Sequence, residues 1–238
     1  MGRRLLAEFL GTAFLLVAVV GSGIVTASDG PASTQLFQHA VVVGAALTAL
    51  IVTFGPVSGA HFNPVVTLVD AWFGGLEARL AARYVVVQLL GAVAGVVLAN
   101  AMFGEPLVAL SGTARSGAAV VLGEVVATFG LVLVIFGTVR SGNLRAVPAT
   151  VGAYIAAAIF FTSSASFANP AVTVARSLTD TYTGIAPGGI AGFIAGQAVG
   201  AVAAALVVAW LFAPQPADAA NVVVPHDDPN ELDRSARV

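Results

Sequence analysis

At 238 residues, with 58% hydrophobic and only 9% charged side chains, the chain is too apolar for a water-soluble domain, where about a quarter of residues carry charge. The formal net charge of −2 comes mostly from the C-terminal tail and excludes the basic surface a nucleic-acid partner would need. The absence of cysteine excludes disulfides and thiolate metal sites, so the composition is that of an integral membrane helix bundle.

Arg3-Arg4 precedes an apolar run from Leu5 to about Thr26, a pattern shared with secretory and twin-arginine leaders. Glu8 lies too deep in that run for a leader, and the element has an internal copy. Gly123-Glu124 opens the fourth apolar run, with Thr128 following Glu124 as Thr12 follows Glu8. The run is therefore expected to remain as the first span. A second run, about Gln35 to Phe54, leads into Ser58-Gly59-Ala60-His61-Phe62-Asn63-Pro64-Val65-Val66-Thr67 and a short apolar segment to about Phe73. That segment is too short to cross a bilayer, which takes about 20 helical residues.

The third run, about Ala81 to Phe103, carries Gln88-Leu89-Leu90-Gly91-Ala92-Val93-Ala94. After the fifth run the loop motif returns as Ser164-Ala165-Ser166-Phe167-Ala168-Asn169-Pro170-Ala171-Val172-Thr173. The sixth, about Gly189 to Phe212, carries Gln197-Ala198-Val199-Gly200-Ala201-Val202-Ala203. Small residues recur through all six runs, and packing between closely approached helices accounts for them. Beyond Pro214 the chain turns polar and acidic, with Asp227, Asp228, Glu231 and Asp233, and residues 213–238 are expected to form a disordered cytoplasmic tail.

Glu8 matches Glu124, Asn63 matches Asn169 and Gln88 matches Gln197, so residues 1–103 and 118–212 follow one plan, joined by the segment 104–117. Three spans per copy is an odd number, so the second copy enters the membrane upside down. The expected fold class is an all-α membrane protein: six transmembrane helices plus two re-entrant half-helices, near 63–73 and 169–179, in an inverted repeat. Asn is a favoured N-cap and Pro a favoured first helical residue, so each motif starts a helix with free backbone donors and partial positive charge. Arg3, Arg4, Arg79, Arg83, Arg140 and Arg145 flank the ends assigned to the cytoplasm, whereas Arg115 and Arg176 fall on the other side.

Paired Asn-Pro motifs on inverted three-span halves, each led by a buried Glu, resemble the major intrinsic protein family, the aquaporins and aquaglyceroporins. The likeness covers about residues 3–212. It implies a pore through each subunit, a homotetramer in the lipid bilayer, small neutral solutes and water as partners, and no cofactor. Loop carbonyls around Gly59, Ala60 and His61, and around Ser164, Ala165 and Ser166, would offer acceptors along a narrow path. The amides of Asn63 and Asn169 would offer donors at its middle, beside Pro64, Val65, Pro170 and Ala171. Val65 adds two methyls where the family motif has Ala. Two helix N-termini aimed at the centre would oppose protons and cations.

In the resemblance, Glu8 and Glu124 support the loops by accepting backbone donors, and His61 fixes its loop while facing the pore wall. A proton relay through the two Glu residues would need further ionisable groups, and His61 lacks companions for a metal. No residue is placed as nucleophile or base, so an enzyme is not expected. A water-selective aquaporin is the first alternative; an ion-coupled secondary transporter, since inverted repeats also serve transporters, and a closed membrane scaffold are the others.

The family's usual constriction Arg, three residues past the second Asn, is here Val172. By the family's spacing the other constriction positions fall on Val43, Ala157 and Ser166, a small uncharged ring implying a wider, less polar pore than in water-selective members. Arg176 lies one helical turn beyond Val172 and reads either as an interfacial anchor or as an outer-vestibule charge, with Asp180 a turn further as its partner. Asn-Pro-Ala-Val-Thr-Val-Ala-Arg and the following Leu-Thr-Asp-Thr-Tyr-Thr-Gly-Ile resemble a bacterial, arsenic-resistance-associated branch, which suggests neutral arsenous acid or methylated arsenicals as solutes.

Overall fold

A computed structural model of the chain describes residues 1–27 and 30–212; the expected disordered tail, 213–238, lies outside the described residues. The elements are α1 (Gly2–Thr26), α2 (Ala32–Ser58), α3 (Pro64–Trp72), α4 (Ala78–Phe103), α5 (Ala118–Arg140), α6 (Val147–Phe161), α7 (Pro170–Ala175) and α8 (Ile190–Leu211), with no strand among the described residues. All but α3 and α7 are long and apolar enough to cross a bilayer, α6 and α8 together with the short 3-10 turns that lead into them.

With six spans, Met1 and Phe212 finish at the same end of the bundle, called here the terminal end; the segment 104–117 lies at the opposite, linker end. The half-helix α3 runs from the middle of the bundle back to the terminal end, and α7 from the middle to the linker end. Both are interrupted spans: a loop descends to mid-depth and a helix of nine or six residues returns.

The second half-helix is shorter than the sequence predicts, ending at Ala175 and not near 179. The backbone continues as a 3-10 turn, Arg176–Leu178, because its carbonyls are taken from outside. The Arg176 carbonyl accepts from Ile185 N, that of Ser177 from Ser111 N, and that of Leu178 from Ala109 N. The linker is thereby stitched across the end of α7, and Ala186 N completes the seam by donating to Thr113 O at 2.8 Å.

In the first repeat α1 packs along α4, and in the second α5 packs along α8, with α2 and α6 meeting between them. The contacts are close because Gly91 of α4 lies against the main chain of Phe9, and its counterpart Gly200 of α8 against that of Val125. A Cβ at either position would press into a backbone carbonyl, which cannot move aside as a flexible side chain can. Without a hydrophobic drive between helices in lipid, dispersion at such close approach holds the bundle together.

Candidate functional site

Each half-helix is built in the same way. The Asn63 side chain caps α3 by accepting from Val65 N at 3.0 Å, and Asn169 caps α7 by accepting from Ala171 N at 3.0 Å and Val172 N at 3.3 Å. Pro64 and Pro170 occupy the first helical position, where a missing N–H costs nothing. The approaches are contorted: Ala60 and Phe62 in the first loop, and Ala165, Ser166 and Ala168 in the second, have φ between 47 and 58°. Non-glycine residues in this region persist only when their surroundings over-determine them.

Two buried carboxylates supply that determination. Glu8 accepts from His61 N (3.0 Å), Phe62 N (2.7 Å), Ser58 Oγ (2.6 Å) and Gln88 Nε2 (2.8 Å). Glu124 accepts from Phe167 N and Ala168 N, both at 2.9 Å, and from Gln197 Nε2 at 2.6 Å. Each Gln also donates to a half-helix Thr at 2.9 Å, Gln88 to Thr67 and Gln197 to Thr173. All six side chains are fully buried. Turning the loop amides to these carboxylates leaves the opposite side of the same backbone free to line a passage.

The two tips meet. Asn63 Nδ2 donates to Ala168 O at 2.7 Å, and Asn169 Nδ2 to Phe62 O at 2.8 Å. An amide nitrogen has two hydrogens, so each Asn keeps one donor beyond this cross-link. Both side chains line an elongated cavity that runs between the helices from His39 and Arg176 at the linker end to His61 and Val147 towards the terminal end. Its wall is mostly aliphatic, from Leu15, Val19, Val43, Leu47, Leu131, Ile135, Val151, Ile155 and Val172. The polar interruptions come from the two loops, the Asn pair, and His39 and Arg176 at the linker end.

Among the expected constriction residues, Val43, Ser166 and Val172 line this cavity. Ala157 does not: it is exposed on the outer side of α6. Val151, Ile155 and Ile159, spaced by four, form the inward stripe, and a residue two positions from Ile155 is rotated about 200° away. Ile155 or Ile159 therefore takes the place assigned to Ala157, which makes the ring bulkier than the sequence suggests. Ala60 and His61 line the cavity, while Gly59 lies behind them as the left-handed cap of α2, at φ 90°. Val65 and Ala171 are buried away from the passage, their amides serving the caps.

His61 is fixed from two sides. Its Nδ1 lies 3.1 Å from Thr67 Oγ1 and its Nε2 3.5 Å from Asp70 Oδ2. Thr67 Oγ1 also accepts from Gln88 Nε2 at 2.9 Å, so the ring, the hydroxyl and Asp70 form one buried polar chain. Asp70 and Arg176 both stand seven residues past their Asn, so the repeat carries an acid towards one end and a base towards the other.

Arg176 is not an interfacial anchor. It is buried, lines the cavity, has its Cζ 3.4 Å from the centroid of the Phe167 ring, and donates from Nε to Thr183 O. Asp180 is not its partner: that side chain is exposed and accepts from Gly112 N at 2.9 Å, holding the linker instead. Arg115 reaches in from the linker, donating to Gly184 O (2.8 Å) and Tyr182 O (3.1 Å). Burial pushes its pKa below the ordinary arginine value. Sequence reasoning missed His39 and Phe167 altogether. The signal for His39 was a histidine four residues before Val43, hence on the same helical face.

Comparison with known proteins agrees with this geometry. Residues 1–167 match the family model described as "Major intrinsic protein". The chain is 48% identical over 216 residues to aquaglyceroporin AqpS of Rhizobium meliloti (strain 1021), covering 89% of this chain and 91% of that one. It is 35% identical to aquaporin NIP1-1 of Zea mays, covering 85% and 72% respectively. The X-ray structure of the aquaglyceroporin from Plasmodium falciparum superposes with a TM-score of 0.69 over 88% of this chain and 98% of that one, at 21% identity, a likeness of fold.

Proposed function

The chain belongs to the major intrinsic protein family, whose members are membrane channels and not enzymes, and we propose that it passes small uncharged solutes passively. The solutes are water, glycerol-like polyols and neutral metalloid hydroxides such as arsenous acid or methylated arsenicals. The observation that carries this reading is the elongated cavity with Asn63 and Asn169 on its wall at mid-length and the aliphatic side chains of Val43 and Val172 towards one end. A solute trades hydration for the spare Asn donors and loop carbonyls, then meets a ring with no charge of its own. The facing half-helix N-termini make the middle positive and exclude protons and cations.

We place the chain in the plasma (inner) membrane, and the arginine distribution supports both termini being cytoplasmic, so the linker end faces outward. Four such chains would assemble as a homotetramer, each with its own pore. The full chain in proteoliposomes tests the reading by stopped-flow light scattering with water, glycerol and arsenite gradients. Flux of all three above protein-free vesicles is expected. Water flux without glycerol or arsenite flux defeats the solute assignment, and no flux at all defeats the channel.

A further inference from the structure

We propose that a second, polar ring made by His39 and Arg176 stands one helical turn closer to the linker end than Val43 and Val172, and that it recognises the hydroxyl groups of a neutral solute before the apolar ring. The proposal rests on the channel reading above and adds the groups that read the solute. His39 precedes Val43 by four residues on α2, and Arg176 follows Val172 by four past α7. All four side chains line the one cavity and all are at least 95% buried from the outer surface, His39 and Arg176 at 4% exposure. Four residues advance about 6 Å along α2, and Arg176 follows α7 directly in a 3-10 turn.

Hydrogen bonding sets what each group offers. Ser22 has one hydroxyl hydrogen, and it goes to Ala18 O at 2.6 Å. With that hydrogen on Ala18 O, the 2.7 Å contact between Ser22 Oγ and His39 Nδ1 is donated by the histidine, so we assign the ring proton to Nδ1 and the acceptor role to Nε2. Nε2 has no hydrogen-bond partner among the described residues, and the T-shaped packing of Tyr182 against the imidazole fixes its direction. On the other wall, Nε of Arg176 is spent on Thr183 O and the cation–π contact with Phe167 holds the guanidinium in place. Its two Nη groups make no hydrogen bond to any described residue. The buried hydroxyl of Ser166, which lines the same cavity, likewise has no partner among the described residues.

A donor fork facing an acceptor nitrogen is the complement of C–OH. The solute oxygen accepts from Arg176 while its hydrogen is donated to His39. A polyol offers several such groups in succession and can exchange one for the next as it moves towards Val43. A cation is refused by the guanidinium. An anion gains at Arg176 but meets no cation one turn on, where Val43, Val172 and the Ser166 hydroxyl line the wall, so the pair selects neutral hydroxylated molecules.

The test measures glycerol and water permeability in the same proteoliposomes, so that the amount of folded protein cancels in their ratio. His39→Leu and Arg176→Leu each remove one partner, and the glycerol-to-water ratio is expected to fall about fivefold or more in each, the effect of one lost hydrogen bond. The double variant is expected to fall by less than the product, because both groups hold the same hydroxyl. Arg176→Lys, which keeps a donor without the fork, is expected to recover part of the ratio. A ratio within twofold of wild type in either single variant overturns the ring while leaving the channel reading intact. A wild type that conducts water but not glycerol overturns the ring and the polyol assignment while leaving the channel, and one that conducts neither overturns the channel as well.

Discussion

Asn63 and Asn169 are each cap and clasp: one end of each amide starts its own half-helix, and the other end donates to the loop of the opposite repeat, to Ala168 O and Phe62 O. The two halves of the molecule are thus tied at mid-depth by a reciprocal pair of bonds between residues 106 apart in sequence. Stability and permeation share these two side chains.

Asn169→Ala removes both functions, and the lost cap together with the orphaned Phe62 carbonyl should cost roughly 2–4 kcal/mol. Asn169→Asp keeps the cap oxygen and loses only the cross-loop donor, so it should cost clearly less. Thermal unfolding in detergent separates the cases. Equal melting points for the two variants would show that the cross-link, not the cap, carries the whole effect.

Glu8 accepts four hydrogen bonds where Glu124 accepts three, the extra one coming from Ser58 Oγ. A glutamine at either position sets an NH2 group against donors and loses charge-assisted bonds of about 1.5–3 kcal/mol each. Both Glu8→Gln and Glu124→Gln should therefore be strongly destabilised, with Glu8→Gln the worse by several degrees in melting temperature. The reverse order would mean that strain in the second loop, with its three left-handed residues, outweighs the bond count.

The inward stripe of α6 makes a sharp contrast available. Ile155→Trp should reduce glycerol flux at least tenfold, whereas Ala157→Trp, on the outer face, should leave it within about twofold, since only the first side chain enters the passage. Stopped-flow measurement on matched proteoliposomes reads both. Blockage by the substitution at 157 would return that residue to the ring.

Val172→Arg places a guanidinium at the apolar ring, one turn from Arg176 and on the same side of the passage. Glycerol permeability should fall about tenfold relative to water, because the larger solute loses clearance first. Equal loss of both fluxes would show that position 172 does not set the width.

The span count, the inverted duplication and the two capped half-helices were legible in the sequence alone, because each is written locally. A span needs only a long apolar run, a cap needs Asn followed by Pro, and a duplication repeats Glu8, Asn63 and Gln88 as Glu124, Asn169 and Gln197. Which faces those helices turn to the passage was decided only in the tertiary structure. Between α6 and Asn169 the chain passes through three left-handed residues, so helical phase does not carry across, and counting back from the motif placed Ala157 inside when Ile155 and Ile159 are there. The same holds for the linker-end mouth. Arg176 is buried because Phe167, Thr183 and a linker more than sixty residues away close over it, and His39 faces it from another helix. No spacing rule within one segment records such a meeting; it exists only when distant segments compete for the same volume and the same hydrogen bonds.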